Sequence, residues 1–334
     1  MSKRSTTIKR RLVSVPAIFL AALALTVLLP LWVIVLGAYD LVRAPRRMPH
    51  LRLVAFAFCW AWIEVAGLMV SFFIWVTGQV NNQVPLNTLQ RWWAARVVGA
   101  LRITCGLKLT IDGKGLISPG PVVVLARHAS LADSVVSLFI VAPTAATIPR
   151  YVLKRELLSD PCLDVAGNRG DNHFLDRSAV DAAPELAALK ALSAGMGADG
   201  VATIFPEGTR ANPKKVARAL EKIGERDPER ANRLRALKHL LPPRPAGSYA
   251  LVSGAPTADI VILSHVGFEG LDTFSGILKG VPGKYPIHLW LRRIARAEVP
   301  RQEAEFTLWL DNTWLAVDRE IDDALLARQS TFSN

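Results

Sequence analysis

The stretch PVVVLARHASLADS, residues 121–134, decides how the chain is read. Five apolar residues in a row, bounded by Pro121 and by a polar turn, predict a fully buried strand. His128 would then emerge at the carboxyl end of that strand, where open α/β sheets commonly hold their ligands. Ser130-Leu-Ala-Asp133 fits S-x-x-D, a variant of the capping box that starts a helix. Asp133 thus has a structural role as a cap. It also has a chemical one: with His128 before the helix and Asp133 in its first turn, the two side chains can meet. Five positions along one regular helix would set them on different faces.

Working outward, LKLTIDGKG alternates apolar and polar residues and ends in Asp-Gly, a strand and turn. GVATIF (200–205), ADIVILSHVGF (258–268) and YPIHLWLRRI (285–294) are further strand candidates. Helical patterns over 180–194 and 214–240 lie between them, and this alternation argues for an α/β fold.

Two stretches outside the first add polar chemistry. FPEGTR (205–210) follows an apolar strand: Pro206 stops the strand, and Gly208 lets the backbone approach a ligand closely. Glu207, Thr209 and Arg210 crowd polar groups into one turn, and Arg210 offers a planar fork matched to phosphate. Taken alone, such a cluster reads equally as a surface turn with an ion pair. LKRELLSDPCLDVAGNRGDNHFLDRS (153–178) carries Lys154, Arg169 and Arg177, with Gly167 and Gly170 marking a tight loop.

The front of the chain is greasy. Residues 12–39 and 53–78 are long enough to cross a bilayer core, which takes roughly 20 helical residues. A signal peptide has a shorter apolar core, so the first segment is read as retained. Glu64 interrupts the second segment; an ionisable group there must be protonated, paired or turned toward protein, and packing against the first helix is expected. Lys3, Lys9, Arg10 and Arg11 precede the first segment, and Arg43, Arg46, Arg47 and Arg52 fill the connection. Both sides of the first segment therefore claim the cytoplasmic face. The charges favour a hairpin in one leaflet, and the segment lengths favour spanning. LNTLQRWWAARVVGALRITCG suits a helix at the membrane surface or an amphipathic helix on a core. Residues 1–85 are expected to form the anchor and 86–334 the catalytic region.

The chain has 334 residues, is 51% hydrophobic, and carries 40 basic against 28 acidic side chains, a net charge of +12. That balance suits anionic lipid, phosphorylated substrates or nucleic acid; nucleic acid rests on charge alone and is set aside. Arginine and alanine usage point to a GC-rich bacterial genome. The three cysteines have no metal-ligand spacing and frame no disulfide set. No G-x-S-x-G occurs, which argues against a serine hydrolase.

In order, RHASLAD, LKRELLSDPCLDVAG…FLDR and FPEGTR resemble the motifs of the glycerolipid acyltransferase family, whose type member is a 1-acylglycerol-3-phosphate acyltransferase. The order and spacing agree from His128 to Arg210. Arg127 stands where that family has Asn, and the usual V-P-V fourth motif is missing. LKHLLPPRPAG (237–247), KYPIHLWLRR (284–293) and WLAVDREIDDALL look like a branch that accepts a broader range of lysophospholipids.

The resemblance implies a mixed sheet flanked by helices behind a two-helix membrane anchor. It implies transfer of a fatty acyl group from acyl-CoA or acyl carrier protein to the sn-2 hydroxyl of lysophosphatidic acid. His128 would be the general base and Asp133 its orienting partner. Arg177, Arg210 and Lys154 would bind the acceptor phosphate. Glu207 would order the loop or bind a substrate hydroxyl, with Gly208 and Thr209 beside it and a backbone N–H near Gly208 serving the oxyanion. Membrane lipids are the expected surroundings and the bacterial cytoplasm the expected side; no cofactor or metal is called for. A lysophosphatidylinositol or lysophosphatidylglycerol acceptor is the second reading. A non-catalytic lipid-binding protein is the third.

Overall fold

The structure is a computed structural model that describes residues 3–130, 132–142, 147–177, 181–283 and 285–333. Leu131 of the opening stretch, Ser178 after FLDR, Val180 at the start of an expected helix and Lys284 lie outside the described residues. Along the chain come α1 (Lys3–Val27), α2 (Leu29–Arg43), α3 (Pro49–Val76), α4 (Gln83–Cys105), β1 (Leu109–Asp112), β2 (Val122–Ala126) and α5 (Asp133–Val141). There follow β3 (Ile148–Lys154), β4 (His173–Leu175), α6 (Ala183–Ser193), β5 (Gly200–Ile204), α7 (Pro213–Gly224) and α8 (Pro228–Leu234). The remaining elements are α9 (Pro245–Gly254), β6 (Asp259–Val266), α10 (Phe274–Gly280), β7 (Ile287–Ile294) and α11 (Glu303–Ser333). They group into two compact units. One holds residues 1–108, 134–180 and 273–286, the other 109–133, 181–272 and 287–334. The compositional boundary after residue 85 does not coincide with this division.

In the first unit the apolar run 12–39 is interrupted: α1 ends at Val27 and α2 restarts at Leu29. Pro30 explains the break, because it cannot donate within a helix interior but fits a first turn. The helices long and apolar enough to cross a membrane are Ser5–Val27 and Pro49–Val76. Asp40 joins α2 to α3: its carboxylate meets His50 Nδ1 at 2.7 Å and accepts the Leu51 N–H at 2.9 Å, serving the first turn of α3.

α3 pairs with α4 along its length. Ile74 packs with Leu86 and Leu89. Midway, Glu64 accepts from Trp93 Nε1 at 2.7 Å and from the Cys162 N–H at 2.9 Å. Near the start of α3, Arg52 donates to the Thr104 carbonyl at 2.9 Å. Glu64 is thus turned toward protein as expected, but toward α4 and Cys162 rather than toward α1. α1 packs Ile18 and Ala22 on Ala61, Val65 and Leu68, and its Arg10 donates twice to the buried Asp164, each bond 2.7 Å. β3 and β4 form a parallel pair in this unit.

The second unit is built on a mixed sheet in the order β1-β7-β6-β2-β5. β2 is parallel to β5 on one side and to β6 on the other, β6 is antiparallel to β7, and β7 is parallel to β1. Every residue of β2 and β5 is buried, as unbroken apolar runs require. α9 covers β2, α11 covers β6, and α6 packs against α9. The helical pattern read over 214–240 is two helices, α7 and α8. They are separated where Asp227 accepts the Arg230 N–H and Pro228 opens the second helix.

Packing of α6 on α9 leaves no room at Gly254: a Cβ there would lie 2.1 Å from the Lys190 carbonyl oxygen. Gly254→Ala should destabilise the second unit by about 1–3 kcal/mol, read as a lowered thermal midpoint. An unchanged midpoint contradicts this packing.

Candidate active site

β2 delivers His128. Its last ladder bond runs from the Arg127 N–H to the Leu263 carbonyl at 3.0 Å, after which the chain turns into α5. Asp133 collects the donors of that turn. One oxygen accepts the N–H groups of Ala129 and Ser130, the latter at 2.7 Å, and meets His128 Nδ1 at 3.2 Å. The other accepts Ser130 Oγ–H, whose oxygen in turn accepts the Ala132 N–H at 3.1 Å. Capping and pairing with His128 are therefore the same arrangement. Burial works to raise the Asp133 carboxyl, but His265, His128 and Ser130 outweigh it and hold the group below its ordinary value. An acceptor-only carboxylate at Nδ1 places the ring proton there and leaves Nε2 bare. Among the described residues, Nε2 of His128 has no hydrogen-bond partner. The ring lies 4.8 Å from that of Phe205.

β5 delivers the FPEGTR turn beside it. Glu207 is 1% exposed, and its two carboxylate oxygens accept the backbone N–H groups of His128 (2.7 Å) and Leu241 (3.0 Å). It therefore orders the loop, one of the two roles read for it. Burial pushes its carboxyl up to about 8, against the two N–H groups and Arg127. The Ala211 N–H donates to the His128 carbonyl at 3.2 Å, so the turn grips His128 at both main-chain atoms. Gly208 adopts φ +70°, which favours glycine, and its own N–H donates to the Phe205 carbonyl at 2.9 Å. That amide is occupied. Among the described residues the amides of Thr209 and Arg210 have no partner. Arg210 donates to the Asp272 carbonyl at 2.8 Å, and Lys215 Nζ reaches Thr209 Oγ1 at 3.5 Å.

Two features escaped the sequence reading. The first is Arg244. Its N–H donates to the Pro206 carbonyl at 2.9 Å, and its side chain lies over Gly208, where a Cβ would come within 3.3 Å of it. Its guanidinium is exposed and, among the described residues, unpaired. The PR of LKHLLPPRPAG was the available signal. The second is the carboxyl end of β6. Arg127, 3% exposed, donates to the His265 carbonyl and to Glu269 at 2.9 Å. The residue that departs from the family's Asn is thus an internal strap. Its partners lie more than a hundred residues downstream, and no local pattern announces them.

His128, Asp133, Glu207, Gly208, Thr209 and Arg210 all belong to the second unit. Lys154 ends β3, and Arg177 follows β4 in an exposed turn; both belong to the first unit. Among the described residues no cluster of His, Cys, Asp or Glu could hold a metal ion.

Glu207→Gln should leave one of the two amides facing an NH2 group. It should cost about 1–3 kcal/mol and lower turnover by displacing His128. It should also remove a pH dependence. A carboxyl raised to about 8 from 4.5 contributes stability that is full below 4.5 and lost as the pH rises through 8. A variant with the stability, pH dependence and rate of the parent would contradict the clamp.

A family model described as Acyltransferase matches residues 108–230. No curated protein matches the chain. Among solved structures, the 1-acyl-sn-glycerophosphate (LPA) acyltransferase PlsC from Thermotoga maritima is similar at 15% identity and a TM-score of 0.45, over 78% of this chain and 97% of that one. The matched residues hold all three motifs, from His128 through FLDR to Arg210. Residues 108–230 are thus similar to an acyltransferase domain.

Proposed function

We propose that this chain is a membrane-associated O-acyltransferase that moves a fatty acyl group from acyl-CoA or acyl carrier protein to the sn-2 hydroxyl of 1-acylglycerol-3-phosphate, giving phosphatidic acid. The observation that carries the reading is His128, held at Nδ1 by Asp133 at 3.2 Å, with Nε2 unpartnered among the described residues. An alcohol is a poor nucleophile at neutral pH, and a bare Nε2 can take its proton as oxygen attacks the thioester carbonyl. The C–O bond forms, the C–S bond breaks, and the proton passes from Nε2 to the departing thiolate. Asp133 stabilises the imidazolium between those steps. The substrate supplies the nucleophile, so no acyl-enzyme is required.

The acceptor phosphate needs cations. Arg210 sits on the turn that grips His128, Arg244 packs against that turn, and Lys154 and Arg177 come from the family's second block. Glu207 holds the turn, and the Thr209 and Arg210 amides are candidate oxyanion donors.

For the membrane, the pairing of α3 with α4 favours a one-leaflet arrangement. If α3 crossed the bilayer, α4 would accompany it with Arg91, Arg96 and Arg102, at high cost. Lying along the surface, α1–α3 would turn Leu20, Leu23, Ile34, Phe73 and Trp75 into lipid, all exposed here. The catalytic domain and both basic clusters would share the cytoplasmic face.

Purified full-length protein assayed with a panel of lysolipid acceptors and both donor types tests the function. Lysophosphatidic acid should be the best acceptor. Preference for lysophosphatidylinositol or lysophosphatidylglycerol would establish the second reading, and transfer to none would overturn the assignment. His128→Ala should abolish transfer, and Arg244→Ala should raise the acceptor KM about ten- to a hundredfold with kcat kept, the worth of a charged hydrogen bond. An unchanged KM removes Arg244 from the phosphate site. In sealed vesicles, cysteines at Arg46→Cys and Ser118→Cys should react with an impermeant maleimide from the same side; labelling from opposite sides contradicts the one-leaflet arrangement.

A further inference from the structure

A second histidine stands behind the first. His265, near the end of β6, is 2% exposed, and its Nε2 lies 3.8 Å from the Asp133 oxygen that His128 does not use. The same nitrogen is 3.4 Å from the Arg127 carbonyl. Nδ1 is buried with no partner, and the ring stands edge-on to Phe268 at 5.1 Å. Burial pushes the imidazole down to about 4, so it is neutral at pH 7 and carries one proton. Nε2 faces two acceptors and no donor, so that proton sits on Nε2.

The surroundings are arranged around this ring. Arg127 donates to the His265 carbonyl and to Glu269, and Glu269 in turn accepts the Gly267 N–H at 2.6 Å. The end of β6 is thus fixed to the residue preceding His128. A histidine that only filled space would be a poor choice here: it leaves a buried ring nitrogen unpaired, where an apolar side chain of similar size leaves none.

We propose that His265 is a positioning residue for acyl transfer, its Nε2–H restraining Asp133 from the side opposite His128, with Arg127 holding His265 in place. The carboxylate can rotate about its Cβ–Cγ bond. As His128 takes the substrate's proton and draws on one oxygen, donors on the other keep the carboxylate plane from turning. Ser130 Oγ supplies one such donor at 2.5 Å, and the His265 Nε2–H, bonded to the Arg127 carbonyl at 3.4 Å, sets its positive edge 3.8 Å from the same oxygen. The inference rests on the reading of His128 as the base.

The test compares His265→Leu, His265→Gln and His265→Asn with the parent and with His128→Ala, in full-length protein with lysophosphatidic acid and acyl-CoA. Loss of positioning should lower kcat of His265→Leu about ten- to a hundredfold, with the acceptor KM within about twofold of the parent. Gln puts an amide N–H near the place of Nε2 and should restore most of the loss. Asn puts it near Nδ1 and should not. A merely structural histidine predicts no difference between Gln and Asn, two polar residues of similar size, and equal kcat in that pair overturns the inference even if the Leu variant fails to fold. A His265→Leu enzyme with parental kcat overturns it as well, leaving the function intact. Full activity of His128→Ala overturns the base assignment, and this inference with it.

Discussion

Both oxygens of Glu207 end on backbone amides, and the candidate site is organised by that fact. β2 and β5 are parallel neighbours, so His128 and the FPEGTR turn leave the sheet at the same edge. A parallel pair fixes the strands but not the loops beyond them. The carboxylate closes that gap: it holds the His128 N–H on one side and the Leu241 N–H on the other. Asp133 then fixes the ring whose main chain Glu207 has fixed. The Leu241 segment is anchored in its turn by Asp318 of α11, which accepts the N–H groups of Lys238, His239 and Leu240 at 2.8 Å each. Buried carboxylates are tolerable where backbone donors replace lost water. Here they also carry position from the C-terminal helix to His128.

Local chemistry was legible in the sequence, and long-range pairing was not. The strand 122–126 could be read from its unbroken apolar run, and the meeting of His128 with Asp133 from a five-residue turn. β3 carries Pro149 near its start, and a proline within a run argues against a strand. β4 is too short to carry a period. The break between α1 and α2 lies inside a uniformly hydrophobic run, which hides it. The break between α7 and α8 was written in Asp227-Pro228, an N-cap followed by a first-turn proline, but the continuous run of charges masked it. In the site, Glu207 could be singled out from its motif, whereas its partner Leu241 could not. Arg127 drew notice as a departure from a family pattern. Its meaning required Glu269 and His265, which only the sheet brings near.

The first unit meets a different constraint. Its apolar helices expose many large hydrophobic side chains, among them Leu12, Val13, Leu20, Ile34 and Val42. Yet α3 is bonded to α4 at three levels along its length, through Ile74, Glu64 and Arg52. The contact is apolar at the Ile74 end and polar at Glu64 and Arg52.

The central claim is that the substrate's own hydroxyl, activated at His128 Nε2, attacks the thioester directly. Single-turnover transfer from radiolabelled acyl-CoA, with intact-protein mass spectrometry before acceptor is added, tests it most directly. The account predicts an unmodified enzyme until the lysolipid arrives, and sequential rather than ping-pong kinetics. A covalently acylated enzyme that passes its label to a later-added acceptor would contradict it.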